Sequence, residues 1–468
     1  NLFTKRTLKY LFASTKCQLI DLEINLIDRL WKRKKKNKLH KFFSLPLESI
    51  DHNYKKKVNK IIINLKNKKA DYHFITSNEN VAWALNIRGK DSKYSPIPNS
   101  YILISKNGEI KFFCNLDKLS QKLRRKFNRI EFIDIELTSS ILSNLKNKKI
   151  VIDSNTCALK FEKIIQKNNL IINDDNKIDY LKSIKSKKEI KNIKLSHIHD
   201  GVALTKFIFW LKNNYQKKNI TEISAENKLL SFRKKNKNFK FLSFPTISGT
   251  GPNGAIVHYR ATKESNLKLK KGNIYLIDSG GQYSYGTTDV TRTISLNNKS
   301  KRIKNIYTRI LKGHIAVVCF KLNKNTSGFI IDKAARKFLK QVGLDYAHGT
   351  GHGVGYFLNV HEGPHAITKK NNVKFQKGMV VSNEPGYYEK NNFGIRIENL
   401  IYVDKLKKKL FFKDLTMVPI DKSLIDFSIL DKMEKKWINN YHKKVFLNLK
   451  KFMNKSEVLE LKEACSAI

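Results

Sequence analysis

Four acidic residues lie in apolar, strand-like segments, and their burial is the strongest constraint on how this chain can fold. Asp278 ends the strand in "NIYLIDSGGQ", and Asp289 lies in "YGTTDVTRTI". Glu384 ends the strand in "GMVVSNEPGYY", and Glu398 lies in "NFGIRIENLIYV". A buried carboxylate costs on the order of several kcal/mol unless it is paired or bound to a cation. The fold must therefore bring a positive charge to these acids.

The first two acids are predicted to lie on the arms of one hairpin. Turn positions between Asp278 and Asp289 are supplied by Gly280, Gly281 and Gly286. Two carboxylates side by side would repel each other. A cation between them would offset both this repulsion and the cost of burying the two charges. Either residue alone is more simply a turn residue or a strand-end cap. Further along the chain, alternation along a strand places Arg396 and Glu398 on one face.

The stretch "HGTGHGVGYFLNVHEGP" (348–364) carries His348, His352 and His361 among five glycines. Glycine lets a substrate approach the backbone, and we expect it to let His352 reach inward from a non-standard conformation. Two Asp, two Glu and one His suit a pair of divalent ions such as Mn²⁺, Co²⁺ or Zn²⁺. Two ions about 3.5–4 Å apart can share one hydroxide and polarise a carbonyl.

The pattern of predicted helices and strands changes near residue 185. Helices alternate with strands before that point, which predicts an α/β domain. After it comes a long amphipathic helix across His197 to Leu211, a helix begun by Thr221 or Ser224, and glycine-containing strands. The N-terminal part is predicted as a short helix, a strand over Gln18 to Leu22 and a helical turn ending at Trp31. We expect four segments: 1–45, 46–185, 186–410 and a tail over 411–468.

The charge and the cysteine content restrict the partners and the cellular compartment that can be expected for the protein. The formal net charge is +52, but the lysines are spread over every segment with abundant Asn and Ile. We interpret most of them as solvated surface, with nucleic-acid or membrane contact as the alternative for the run from Trp31 to Lys41. The five cysteines are scattered, which favours reduced thiols in the cytoplasm. Since apolar runs fall short of a membrane span, no membrane partner is expected.

Four long segments together resemble the motifs of the X-prolyl aminopeptidases, which belong to the dinuclear pita-bread metallopeptidases. They are "FPTISGTGPNGAIVHYRAT", "IDSGGQYSYGTTDVTRT", "HGTGHGVGYFLNVHEGP" and "NEPGYYEKNNFGIRIENL". The resemblance extends to "NENVAWALNIRG" and "WINNYH". It implies an α/β and α+β multidomain fold, with a creatinase-like α/β domain followed by a pita-bread catalytic domain. Residues 1–45 resemble only the end of a further first domain, so we expect exposed apolar side chains there.

The resemblance also implies a set of site residues. The ligands for two divalent ions, with Mn²⁺ as the expected metal, would be Asp278, Asp289, His352, Glu384 and Glu398. Glu384 would also be the general base. His258 and His361 would shuttle protons and contact the substrate carbonyl, and His348 would lie in the substrate pocket. Arg396 would hold the carboxylates in place.

The implied activity is removal of the N-terminal residue from peptides with proline second, by a hydroxide bridging the two metals. The X-Pro bond has no N–H, so peptidases that bind that donor fail on it. The implied protein is a homodimer with peptide substrates and without a specific nucleic-acid partner. Two alternatives stay open: a prolidase-type dipeptidase with the same five ligands, and a non-catalytic pita-bread binding module.

Several conspicuous residues are given structural interpretations. His314 is predicted to be a helix residue packed near the core, and His365 matches no ligand position. Trp437 and Tyr441 are predicted to pack in the tail helix, with dimer contact as the alternative. The segment Gly249 to Gly254 satisfies G-x-G-x-x-G, but Pro252 lies inside it and "AIVHYR" after it is predicted as a strand, which argues against a dinucleotide loop.

Overall fold

The computed structural model describes residues 3–20, 22, 26–31 and 39–468. The chain divides into two compact units, the first made of Asn1–Pro46 and His52–Ile178, the second of Leu47–Asp51 and Asp179–Ile468. None of the helices in these described ranges has the length and apolar character needed to cross a membrane.

The first unit alternates helices and strands. Its helices are α1 (Lys5–Phe12), α2 (Leu26–Leu30), α3 (Tyr54–Asn67), α4 (Asn78–Leu85), α5 (Gln121–Lys126), α6 (Thr138–Ser143) and α7 (Leu159–Asn168), followed at the division between the units by α8 (Lys177–Ser183). Its strands are β1 (Phe43–Ser44), β2 (Tyr72–Ile75), β3 (Ile87–Arg88), β4 (Ser100–Ser105), β5 (Ile110–Cys114), β6 (Ile130–Asp134), β7 (Lys149–Ile152) and β8 (Leu170–Asn173).

A mixed six-stranded sheet organises this unit, in the order β6-β5-β4-β2-β7-β8. Its strands are apolar, and Phe74, Phe113 and Phe161 form part of one buried cluster with α6 and α7. Helix α4 begins at Asn78, because the Ser77 side chain accepts a hydrogen bond from the Asn80 N–H. The predicted α/β character is confirmed.

The N-terminal segment departs from its prediction. No strand forms at residues 18–20 and 22, which are the described part of the strand expected over Gln18 to Leu22. Helices α1 and α2 form, and apolar side chains here are exposed as expected, for example Tyr10 at 83%, Ile20 at 78% and Leu30 at 86%. A strand needs a pairing partner as well as apolar residues, and this segment has none among the described residues. Most of the basic run after Trp31 lies outside the described residues.

The second unit is built from long helices around antiparallel sheets. Its helices are α9 (Lys187–Asn214), α10 (Glu222–Lys234), α11 (Lys301–Val318), α12 (Gly328–Lys340), α13 (Lys432–Leu449) and α14 (Lys455–Ala464). Its strands are β9 (Phe239–Leu242), β10 (Ile247–Thr250), β11 (Ile274–Ser279), β12 (Gly281–Tyr283), β13 (Gly286–Thr287), β14 (Val290–Ser295), β15 (Gly351–Gly353), β16 (Glu362–Ile367), β17 (Val380–Asn383), β18 (Gly386–Glu389), β19 (Phe393–Arg396), β20 (Asn399–Leu406) and β21 (Lys409–Asp414).

The strands form four sheets, in the orders β10-β11-β14, β13-β12-β9, β16-β15-β17-β20-β21 and β18-β19. The two predicted arms do pair, but two further strands lie between them in the sequence. β11 pairs with β14 and places Asp278 opposite Thr291, while the intervening β12 and β13 join a different sheet. The strand predicted for "AIVHYR" is wrong: a 3₁₀ helix covers Gly251–Ala255, and Ile256 to Arg260 form no strand. The backbone there turns back because Ile256 and Tyr259 close local hydrogen bonds.

The structural interpretations of the isolated residues are confirmed. His314 is buried in α11, and its Nδ1–H donates to the Asn383 carbonyl at 3.1 Å. Trp437 and Tyr441 stack with ring centroids 5.2 Å apart, and the Tyr441 hydroxyl donates to the Val418 carbonyl. All five cysteines are free. The predicted helix across His197 to Leu211 is confirmed within α9, and Thr221 caps α10 with Ser224 three residues later.

A buried ion pair joins α9, α10 and β12. Asp200 accepts hydrogen bonds from Arg233 Nε at 2.7 Å, Arg233 Nη2 at 3.0 Å and the Tyr283 hydroxyl at 2.8 Å. Burial alone would raise the pKa of Asp200, but the charge and hydrogen bonds of Arg233 hold it below its usual value. These contacts fix the two helices against β12.

We expect Arg233→Leu to destabilise the protein by about 3–5 kcal/mol, because it leaves the Asp200 carboxylate buried without its counter-charge. Urea unfolding followed by tryptophan fluorescence measures the change. The matched control is Lys413→Met, which removes the partner of Asp404 in an ion pair that lies at the surface. That change should cost less than about 1 kcal/mol. Equal losses in the two variants would contradict a structural role for the buried pair.

Candidate metal centre

A cleft of about 460 Å³ in the second unit collects the predicted site residues. All nine of them line it: His258, Asp278, Asp289, His348, His352, His361, Glu384, Arg396 and Glu398. The four acids come from different strand ends. Asp278 lies in β11, Asp289 directly precedes β14, Glu384 directly follows β17, and Glu398 lies between β19 and β20. Antiparallel pairing of these strands therefore brings together residues that are far apart in sequence.

The cluster has the spacing of a metal site. Ligand atoms of Asp289, His352 and Glu398 lie within 4.8 Å of one another. His352 Nε2 lies 3.5 Å from Asp289 Oδ2 and 3.5 Å from Glu384 Oε1. His352 Nδ1 is 2.9 Å from the Gly353 carbonyl, which can only accept, so Nδ1 carries the proton. The second ring nitrogen therefore faces the carboxylates with its lone pair available to a cation.

Burial makes the carboxylates costly in their charged form. Burial raises the pKa of Asp289 and of Glu398 well above the usual value, and the neighbouring carboxylates raise both further. Burial also raises the pKa of Glu384. Asp278 Oδ1 and Asp289 Oδ1 are buried without a hydrogen-bond partner in the described part of the chain. A divalent cation pair would satisfy these oxygens and remove the repulsion, so the donor set fits two metals.

Side chains around the acids hold them in place. Arg396 Nη2 donates to Asp278 Oδ2 at 2.7 Å. Thr291 donates to Glu398 Oε2 at 2.8 Å and accepts from Arg396 Nε. Ser382 donates to Glu384 Oε1 at 3.1 Å. Thr291 and Ser382 carry no sequence signal by themselves, since only the strand register places them beside the acids.

A hydrogen-bonded chain links His348 to Arg396. His348 Nδ1–H donates to the Gly349 carbonyl at 2.7 Å, so Nε2 accepts from the Tyr388 hydroxyl at 2.9 Å. Tyr388 in turn accepts from Arg396 Nη1. Burial lowers the pKa of His348 to about 4, with the Arg396 charge adding to the effect. His348 is therefore a neutral residue of the cleft wall, and Tyr388 is a member of the site that the sequence did not reveal.

The other two histidines, His258 and His361, are both exposed in the cleft. His361 lies against His352, with ring centroids 4.1 Å apart. The His352 charge lowers the pKa of His361 to about 4, followed by burial and His258. His258 is exposed on the wall, in the irregular segment after the Gly251–Ala255 turn of helix.

The buried carboxylate of Glu222 holds the segment that carries His258. It accepts hydrogen bonds from the Thr250 N–H at 2.8 Å, the Tyr259 hydroxyl at 2.9 Å and the Leu267 N–H at 3.0 Å. The Asn253 side chain donates to the same carboxylate. Because Tyr259 follows His258 directly, Glu222 determines where that histidine lies.

The glycines of 348–364 serve close packing of strands. The expectation that His352 needs a non-standard conformation is wrong, because His352 lies in β15 and none of these glycines has positive φ. A Cβ at Gly351 would lie 1.9 Å from the Ser382 carbonyl oxygen, and one at Gly353 would lie 2.2 Å from that of Glu362. Only glycine permits this approach, which places His352 beside Glu384. The prediction that Arg396 and Glu398 share one face relied on a continuous strand, but β19 ends at Arg396; both side chains still line the cleft.

The fold and the donor set define a metallopeptidase with a creatinase-type first domain and a pita-bread catalytic domain. Three family models match successive parts of the chain: the Creatinase/Prolidase N-terminal domain over residues 33–189, metallopeptidase family M24 over 191–405 and the C-terminal region of peptidase M24 over 408–468. The chain belongs to metallopeptidase family M24.

Named relatives agree with this membership. The probable Xaa-Pro aminopeptidase P of Laccaria bicolor is 38% identical over 445 residues, which cover 91% of this chain and 69% of the relative. That of Coprinopsis cinerea is 36% identical, over 93% of this chain and 74% of the relative. The crystal structure of the X-prolyl aminopeptidase from Caenorhabditis elegans, described as a cytosolic enzyme with a di-nuclear active site, aligns with a TM-score of 0.93 and 33% identity, covering 99% of this chain and 78% of that chain.

We expect metal affinity to rise with pH. The raised pKa values of Asp289 and Glu398 mean that both acids keep protons to a higher pH than usual, and a metal must displace those protons. Titration calorimetry with Mn²⁺ should therefore detect proton release and weaker binding at pH 5.5 than at pH 7.5.

A substitution tests whether the metal binds at this cluster of acids. Asp289→Asn should weaken Mn²⁺ binding by about 100-fold or more, because removing even an outer partner of a metal ligand costs about 10–100-fold. Asp404→Asn, at a surface carboxylate of β20, is the control and should bind as the unmodified protein does. Equal affinity in both variants would show that the metal binds elsewhere.

Proposed function

We propose that this chain is an aminopeptidase that releases the N-terminal residue from peptides with proline in second position. The observation that carries the proposal is the meeting of five potential metal ligands with His258 and His361 in one cleft. The names of the relatives from Laccaria bicolor and Coprinopsis cinerea and the likeness to the Caenorhabditis elegans enzyme support the substrate class.

Two divalent ions complete the site in this proposal. They would be held by Asp278, Asp289, His352, Glu384 and Glu398. Mn²⁺ is the proposed metal, because oxygen ligands dominate a set that includes one imidazole. When bound, the ions supply Lewis acidity toward the scissile carbonyl and lower the pKa of water at the site.

Glu384 is the proposed general base. Its carboxylate lies at the cleft and is partly exposed, and burial of the remainder raises its pKa, which makes it a better proton acceptor than an ordinary glutamate. The Ser382 hydroxyl holds Oε1 in a fixed direction. Glu384 would take the proton of the attacking water and keep it within reach of the leaving group.

The histidines complete the proton path. His361 is neutral at physiological pH, since its pKa lies at about 4. Its N–H would donate a hydrogen bond to the carbonyl oxygen as negative charge develops there. The leaving proline nitrogen becomes a secondary amine and needs a proton, which His258 would deliver from the solvent-facing wall.

An apolar wall fits the residues around the scissile bond. Phe244, Pro245, Ile247 and Val257 line the cleft. Such a surface can hold the proline ring by packing, which a site for X-Pro bonds needs because the bond offers no N–H to bind.

The proposal extends to the organisation of the protein. We propose a homodimer in the cytoplasm, with the segments 1–45, 46–185, 186–410 and 411–468 as its parts. The free cysteines and the description of the Caenorhabditis elegans relative as cytosolic support the location. Sedimentation velocity measures the oligomeric state.

We expect metal-stripped protein to release the first residue of an X-Pro-Pro peptide only after Mn²⁺ is restored. Glu384→Gln should lower kcat by at least about 1000-fold, since loss of a general base costs about 10²–10⁴-fold and this residue is also a proposed ligand. Glu131→Gln, at an exposed glutamate of the first unit, is the control and should keep full activity.

The substrate distinguishes the alternatives. Cleavage of X-Pro dipeptides without cleavage of the tripeptide would replace the proposal by a prolidase-type dipeptidase. Absence of any cleavage by the metal-loaded protein would favour the other alternative, a non-catalytic binding module.

A further inference from the structure

Arg260 is the one charged residue lining the cleft that has no hydrogen-bond or ion-pair partner among the described residues. The other charged side chains of the lining are all engaged. Asp278 binds Arg396, Asp289 lies against His352, Glu384 binds Ser382, and Glu398 binds Thr291. The Arg260 side chain is exposed on the same wall as His258.

The backbone of Arg260 is held on both sides. Before it, the Tyr259 hydroxyl donates to Glu222 and also lies 2.9 Å from Ser265 Oγ. After it, the Thr262 N–H donates to Ser265 Oγ at 3.0 Å. The guanidinium therefore projects from an anchored segment, which lowers the entropy cost of binding a ligand there.

The charge of Arg260 determines which part of a peptide can lie beside it. An aminopeptidase substrate enters with a positive α-amine, which Arg260 would repel and the carboxylate cluster would attract. A planar guanidinium instead matches a carboxylate, which it can bind through two parallel hydrogen bonds. On a substrate with proline second, carboxylates downstream of the proline belong to the leaving part of the peptide.

We propose that Arg260 recognises a carboxylate on the leaving peptide, downstream of the proline, and so sets a preference among X-Pro substrates. This inference rests on the proposed aminopeptidase function. The carboxylate has two sources, the C-terminus of a tripeptide or an acidic side chain in third position, and the substrates below distinguish them.

The test compares kcat/KM for Ala-Pro-Ala, Ala-Pro-Ala-amide and Ala-Pro-Asp-amide. Arg260→Gln should lower the value by about threefold to tenfold for a substrate that carries the recognised carboxylate, a modest factor because exposed ion pairs are weak. It should leave Ala-Pro-Ala-amide unchanged, and Arg260→Lys should keep part of the preference. The advantage of the carboxylate substrate should also shrink as salt rises.

The matched control is Lys263→Gln. Lys263 lies three residues further along the same segment, is exposed and does not line the cleft. Its substitution by Gln therefore removes an equal charge outside the site. Its variant should keep the substrate preference. The same loss in Lys263→Gln would show a general effect of the positive surface and overturn the inference.

The remaining outcomes are equally decisive. A loss confined to Ala-Pro-Ala assigns the terminal carboxylate, and a loss confined to Ala-Pro-Asp-amide assigns the side chain. Equal losses on all three substrates, or no loss on any, would overturn the role of Arg260 while leaving the proposed function intact. Failure of the unmodified protein on all three, including the substrate without a carboxylate, would instead reject the proposed function and the inference with it.

Discussion

Repulsion among four carboxylates, three of them buried, is the constraint on which the catalytic unit depends. Asp278, Asp289, Glu384 and Glu398 meet in one cleft, and burial together with neighbouring carboxylates opposes the ionisation of Asp289 and Glu398. Arg396 offsets part of this cost, and hydroxyl groups orient the oxygens. Two carboxylate oxygens still lack partners within the described residues, so the unit carries an arrangement that only a bound cation makes favourable.

The rest of the unit keeps that arrangement rigid. Glycines in β15 let it approach β17 closely enough to set His352 beside Glu384. Glu222 anchors the segment that carries His258, and the Arg233–Asp200 pair fixes the helices behind β12. Because these side chains are already fixed, the groups that react stay close to one another. They do not have to become ordered during the reaction.

Much of this was predictable from the sequence, and the failures share one cause. Acids in apolar strands signal a buried counter-charge wherever they occur, so the ligands could be named from local pattern and family resemblance. Thr291, Tyr388 and Glu222 could not, because their roles follow from strand register and from loops that pair across long sequence separations. Local periodicity also predicted strands that do not form, at the described residues 18–20 and 22 and in "AIVHYR".

We propose that the four acids and His352 together hold two divalent ions. Anomalous diffraction from crystals grown with Mn²⁺ tests it most directly, since the metal scatters distinctly and its position is read without a kinetic assumption. The account predicts two adjacent peaks enclosed by Asp278, Asp289, His352, Glu384 and Glu398. Absence of peaks in the cleft of well-ordered crystals, with Mn²⁺ bound only at the surface, would contradict it.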